Sequence, residues 1–135
     1  MTIREYTDFS EEEITGLYAA VGWNAYTRDP ETLRKGLEHS LFVLAAYEDG
    51  QLAGLVRVVG DAQTIVYIQD ILVSPAYQRR GIGSALLQEI LKRYSHVRQI
   101  GLVTDSTPGT IAFYRSLGFR ELSEMNCSGF MRIRG

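Results

Sequence analysis

The stretch IQDILVSPAYQRRGIGSALL, residues 68–87, decides more of the fold than any other part of the chain. Its first third is apolar and β-branched, as in a strand buried on both faces. Its last third begins an apolar helical stripe, with Ile82, Leu86, Ile90 and Tyr94 on one side of a helix predicted from about Ile82 to Tyr94. Between the two, Arg79 and Arg80 run into Gly81 and Gly83. Glycine lets the backbone turn tightly and lets its amides approach a ligand. The first amides of a helix lack internal partners and carry the positive end of its dipole, so an anion fits there. Gln78, Arg79 and Arg80 add donors and charge. The stretch therefore reads as strand, phosphate cradle and helix. Alone, a glycine pair is equally consistent with a tight turn that binds nothing. A dinucleotide fold would place G-x-G-x-x-G after its first strand, and a P-loop would need Gly-Lys-Ser/Thr. Neither pattern is present.

Upstream, TIREY (residues 2–6) reads as a first strand. Ser10 and Glu13 form a capping-box pair ahead of a helix carrying Ile14, Leu17, Tyr18 and Val21 on one face. Asp29-Pro30-Glu31 starts a second helix, with Leu33 and Leu37 as its apolar side. SLFVLAAYE breaks at Asp49-Gly50, a strong hairpin signal, and QLAGLVRVV breaks at Gly60-Asp61. With TIVYIQDILV (residues 64–73), these make three successive strands joined by short turns, which must be antiparallel. Downstream, RQIGLVT is a further strand, PGTIAFYRSLG a short helix ending at Gly118, and FRELSEM and SGFMRIR are predicted as two last strands. The order is β-α-α-β-β-β-α-β-α-β-β. A strand, crossover helix and strand over residues 64–104 imply a locally parallel pair in a mixed sheet.

With 135 residues, the chain fits one domain, residues 1–135. Hydrophobic residues make up 45% and charged residues 22%, as in soluble globular proteins. A net charge of -2 argues against nucleic acid as a bulk electrostatic partner. The single cysteine, Cys127, excludes an internal disulfide and suits a reducing, cytoplasmic setting. The apolar run LFVLAAY is too short to span a membrane, and MTIREYTDF lacks the apolar core of a secretory signal. His39 and His96 are too isolated to suggest a metal site.

QRRGIG resembles the Gln/Arg-x-x-Gly-x-Gly/Ala signature of the GCN5-related N-acetyltransferases (GNAT), where this turn binds the pyrophosphate of acetyl-CoA. AFYRSLGF (residues 112–119) resembles that family's second hallmark, a short helix ending in a Tyr-x-x-x-Gly-Phe turn. The resemblance implies a mixed α/β, GNAT-like fold, with a central sheet of about seven strands flanked by about four helices. It implies an acetyl-CoA-dependent N-acetyltransferase acting directly on a primary amine, with no metal, no nucleic acid and no membrane partner. It is also compatible with a homodimer. By position, Ile71, Leu72 and Val73 match the strand whose backbone pairs with the pantetheine arm, and the fourth and fifth strands should diverge to admit it. Arg79, Arg80, Gly81, Ile82, Gly83 and Ser84 match the pyrophosphate turn. Tyr114 matches the tyrosine that often protonates the departing thiolate. Gly109 stands where many members carry asparagine, which leaves that contact to Thr107 or Thr110.

Other residues are singled out by their chemistry. Asp70 sits inside an apolar strand, where a carboxylate is costly unless paired or functional. It is a candidate general base through water or a candidate recogniser of the amine; otherwise it pairs with an arginine or caps backbone amides. VGWNAY (residues 21–26) lies between the first two helices, a region that the resemblance implies is one wall of the acceptor site; Trp23 and Tyr26 there suit an amine through an aromatic face, or close the helix pair by packing. Arg57 faces either the acceptor or the sheet edge. The alternatives to an N-acetyltransferase are a non-catalytic acyl-CoA-binding or sensory module, and transfer of a longer acyl group or transfer to oxygen.

Overall fold

The structure is a computed structural model that describes residues 1–134. They divide into two compact units, the first covering Met1–Val103 and the second starting at Thr104.

In the first unit, a five-stranded sheet has the order β1-β2-β3-β4-β5, comprising β1 (Thr2–Glu5), β2 (Phe42–Glu48), β3 (Gln51–Gly60), β4 (Ile65–Val73) and β5 (Gln99–Leu102). The first four strands are antiparallel neighbours, and β4 and β5 are parallel, as the crossover requires. Asp49 and Gly50 both take positive φ (51° and 75°), the geometry of a two-residue hairpin turn that matches strand twist. After Gly60, the Asp61 carboxylate accepts from the backbone N–H groups of Gln63, Thr64 and Ile65, which fixes the second turn.

Helices cover both faces of the sheet. Helix α1 (Glu11–Ala20), the single turn α2 (Asn24–Thr27) and α3 (Pro30–Glu38) lie on one side. Ile14, Leu17, Tyr18, Leu33 and Leu37 join Val43, Leu55 and Leu72 there in one core cluster. Helix α4 (Ile82–Arg93) buries Ile82, Leu86, Leu87 and Ile90. A Cβ on Gly54 would meet Ile82 and Leu86, so α4 lies against the face opposite to that of Leu55, the next residue along β3. Ser10 caps α1 by accepting from the Glu13 amide. Only half of the expected capping box forms, because the Ser10 amide donates to the Tyr6 hydroxyl instead.

The second unit contains α5 (Pro108–Ser116) and a short 3-10 turn (Leu122–Met125). Thr107 caps α5 through its hydroxyl, and Gly118 ends it at φ 92°. Among the described residues the strands number five rather than about seven, and the α-helices five rather than about four. FRELSEM, predicted as a strand, carries the 3-10 turn. Glu121 and Glu124 bond reciprocally to each other's backbone there, and both pair with Arg115. No strand is assigned to residues 126–134. Among the described residues, no helix is long and apolar enough to cross a membrane.

Candidate functional site

Strand β4 has its parallel partner for only half its length. Strand β5 pairs with Ile65 to Ile68 and stops. On the other side of β4 the register skips a residue: Val58 faces Ile68, Arg57 faces Asp70, and Gln69 has no opposite number. A bulge of this kind bends a strand and increases its twist. The bend falls where the β5 pairing ends, so Gln69 to Val73 present a backbone edge that β5 does not use. Ile71, Leu72 and Val73 lie along this edge. The Leu72 side chain is in the core, so it offers backbone only.

That edge leads directly into the glycine turn. The Ser74 amide donates to the Ala53 carbonyl, Pro75–Tyr77 form a 3-10 turn, and the Gln78 amide group donates to the Val73 carbonyl. Gln78, expected to add a donor to the cradle, is thus committed to the strand end. Arg79 and Gly81 both lie in the left-handed region, at φ 66° and 78°. For arginine that conformation costs on the order of 1 kcal/mol. The first bond of α4 runs from the Ala85 amide to the Gly81 carbonyl. Among the described residues, the amides of Ile82, Gly83 and Ser84 have no backbone acceptor and no side-chain cap, and no acidic residue occupies the first helical turn. Arg79 and Arg80 are exposed, and neither is in an ion pair among the described residues; the Arg80 guanidinium lies 5.3 Å from the centre of the Tyr77 ring. Donors and positive charge converge on this turn with no protein anion to answer them. The Ile82 side chain is buried, so only its amide is available to the turn.

On the α1 face, the bulge meets three aromatic rings. Tyr18, Trp23 and Tyr26 contact one another, with ring centres 5.2 to 6.2 Å apart. The Asp70 carboxylate is 2% exposed and accepts three hydrogen bonds: from the Tyr18 hydroxyl at 2.9 Å, the Tyr26 hydroxyl at 3.1 Å and the Arg57 Nε at 2.7 Å. Of the readings open from the sequence, the arginine pairing is present, and Arg57 turns inward rather than to the sheet edge. Burial works against the Arg57 charge, but the Asp70 charge and hydrogen bond outweigh it and hold the guanidinium above its ordinary range. Burial, and then the Asp70 charge and hydrogen bond, push the Tyr18 phenol well above its ordinary range. Tyr18 therefore keeps its proton and donates a hydrogen bond to Asp70. Gln69, the bulge residue, donates to the Tyr26 hydroxyl at 3.4 Å. Sequence reading placed Tyr18 among core residues and left out Gln69. The usable signal was the burial cost of Asp70, which demands donors without naming them.

In the second unit, the Tyr114 ring packs edge-on to Phe113 and Phe119, with centres 5.2 and 5.7 Å away. Burial, and then the charge of Asp105, raise its phenol above the ordinary range, so it holds its proton at neutral pH. Beside Gly109, the Thr107 and Thr110 hydroxyls bond each other at 2.9 Å, and Thr107 also bonds Asp105. His39 and His96 sit on the backbone carbonyls of Lys35 and Ala62. Cys127 is exposed.

The Acetyltransferase (GNAT) family model matches residues 5–119 and so spans both units. An acetyltransferase of the GNAT family from Streptococcus pneumoniae TIGR4 superposes with a TM-score of 0.87 at 39% identity, covering 98% of this chain and 97% of that one. A probable acetyltransferase from meticillin-resistant Staphylococcus aureus gives a TM-score of 0.79 at 27% identity, over 99% and 100% of the two chains. Among curated proteins, serotonin N-acetyltransferase 2 of Oryza sativa subsp. japonica is 30% identical over 122 residues, 86% of this chain and 59% of the relative. An uncharacterized ycf52-like N-acetyltransferase of Prochlorococcus marinus is 29% identical over 111 residues, 79% of this chain and 61% of the relative. The chain thus spans about three-fifths of the length of these two curated relatives. With a family match across most of its residues, and the half-unpaired β4 running into a donor-lined glycine turn, the chain belongs to the GNAT acetyltransferase family.

Proposed function

We propose that this protein transfers an acetyl group from acetyl-CoA directly to a primary amine, on a small molecule or as an exposed amino group, within a ternary complex. The observation that carries the reading is the continuity of two features: the β4 edge left by β5 at Ile68, and the glycine turn whose helix amides have no protein partner. An extended pantetheine arm adds to such an edge as a strand would. The pyrophosphate is held by the amides of Gly81 to Ser84 with Arg79 and Arg80 beside it. Edge and turn are joined by five residues, Ser74 to Gln78, so one ligand engages both.

The remaining roles follow the match of these residues to the family's motifs. The neutral amine attacks the thioester carbonyl, the new C–N bond forms, and the C–S bond breaks. A backbone amide of the β4 edge polarises the carbonyl and stabilises the oxyanion. The leaving thiolate must take a proton; Tyr114 is the candidate donor on its match to the AFYRSLGF motif, and its phenol is protonated at neutral pH. The ammonium proton leaves through water. The Asp70 carboxylate accepts hydrogen bonds from Tyr18, Tyr26 and Arg57, and so fixes the side chains that line the amine site.

Calorimetric titration with acetyl-CoA and with CoA tests the reading. Saturable binding of both is expected, weakened at least tenfold in Gly81→Asp, which adds a negative charge at the phosphate and a side chain at a positive φ. Thiol release on adding amines then reports turnover. Unweakened binding in a folded Gly81→Asp protein would remove the pyrophosphate assignment. Binding without thiol release from any amine would leave an acyl-CoA-binding module.

A further inference from the structure

The Tyr26 hydroxyl has one proton and two lone pairs. Its proton is committed to Asp70 Oδ1 at 3.1 Å. Asp70 is in turn fixed from the other side by Tyr18 and Arg57, and none of the three can swing away without leaving a buried carboxylate short of a donor. The phenol oxygen of Tyr26 therefore accepts from its outer side. Among the described residues only the Gln69 side chain, at a long 3.4 Å, addresses it there. Tyr26 is half-buried and Gln69 is exposed, so that side is reachable from solvent. Both residues that fix Tyr26 on β4, Gln69 and Asp70, are at the bulge where the free edge of β4 begins.

Resting on the acetyltransferase reading, we propose that Tyr26 is the acceptor-orienting residue. Its oxygen takes a hydrogen bond from an N–H of a primary alkylamine, and Asp70 and Arg57 act through it as positioning residues. The substrate class follows from three features. The outer side of Tyr26 presents an acceptor, so the ligand must donate. The partly buried Trp23 and Tyr26 rings lie beside it with centres 6.2 Å apart, and an aromatic face attracts an ammonium group while giving a neutral alcohol no such gain. The Asp70 charge is already matched by Arg57, so the ammonium is held by hydrogen bond and ring faces rather than by a buried ion pair.

Trp23 is the only tryptophan in the chain, so its fluorescence reports binding at these rings without depending on turnover. The probes are 2-phenylethylamine, n-hexylamine and a lysine-bearing peptide without tryptophan, titrated into the protein saturated with CoA; 2-phenylethanol is the neutral control. At least one amine should shift the emission saturably, and 2-phenylethanol should bind at least tenfold more weakly than 2-phenylethylamine. Tyr26→Phe should raise the amine Kd, and the amine KM in a thiol-release assay, at least tenfold, with kcat within about threefold and acetyl-CoA affinity unchanged. Asp70→Asn should raise the same constants, and adding it to Tyr26→Phe should have little further effect. If the parent acetylates an amine but Tyr26→Phe leaves its Kd and KM unmoved, the Tyr26 assignment falls and the acetyltransferase reading stands. If the parent binds acetyl-CoA yet neither binds nor acetylates any of the three amines, both fall. If Asp70→Asn fails to fold, the Tyr26→Phe result decides alone.

Discussion

Replacing Arg57 by methionine removes the cation 2.7 Å from Asp70 while keeping most of the stem's volume. Arg57 and Asp70 are directly opposite in the β3–β4 register and are 8% and 2% exposed, so water does not take the guanidinium's place. Removing one partner of a buried ion pair costs about 3–5 kcal/mol, because the other charge stays buried and uncompensated. Two tyrosine hydroxyls still donate to Asp70, which places the expectation at the lower end, about 3 kcal/mol. For a chain of this size each kcal/mol lowers Tm by about 3–5 °C, giving a fall of roughly 9–15 °C. The assay is urea and thermal unfolding of four proteins: the parent, Arg57→Met, Asp70→Asn and the double variant. With a neutral amide at position 70 no buried charge is stranded, so Arg57→Met should then cost about 1 kcal/mol, a coupling of roughly 2 kcal/mol. If the two single costs add to within about 0.5 kcal/mol, the pair is not what holds this network, and the account of Tyr26's fixed proton loses its foundation.

Three further outcomes test other parts of the structure. Tyr114→Phe should lower turnover by about 10²-fold with acetyl-CoA affinity unchanged, in single-turnover kinetics where chemistry is observed; unchanged turnover removes Tyr114 as the acid. Gly54→Ala would place a methyl 3.0 Å from Ile82 Cγ2 and 3.2 Å from the Leu72 carbonyl oxygen, pressing α4 off the sheet. It should cost about 1–3 kcal/mol in urea unfolding and weaken CoA binding through the displaced start of α4; an unaltered midpoint would contradict that contact. Burial chiefly raises the Tyr6 phenol to about 12, while its hydroxyl accepts from the Ser10 amide. The native state then holds a proton that the unfolded chain releases near pH 10, so this contribution to stability is complete below pH 10 and lost as pH rises towards about 12. Tyr6→Phe should flatten that alkaline decline, measured as unfolding free energy against pH.

What the sequence displayed, and what it concealed, divides by the range of the interactions involved. Asp49-Gly50 turns the chain because both residues accept positive φ, and Ser10 caps because it sits three residues before a free amide; each cause lies within a few residues of its effect. The glycine turn is legible for the same reason: it is a local strand, turn and helix, and its function needs only its own amides. The single turn α2 is four residues long and carries no period that a pattern could detect. FRELSEM misled because Phe119, Leu122 and Met125 recur every third residue, a helical rather than a β spacing, and its glutamates close on Arg115 and on each other. The site on the α1 face was half legible. An aspartate inside TIVYIQDILV announces a buried charge that something must answer. Arg57 answers from 13 residues away, Tyr26 from 44 and Tyr18 from 52. The one-residue bulge at Gln69 sets the register that brings them together. Side chains on a strand alternate faces, so a slip of one residue would send Asp70 to the other side of the sheet, away from all three donors. A buried charge can therefore be found in a sequence before its partners can, because its cost belongs to one residue and its compensation belongs to the register.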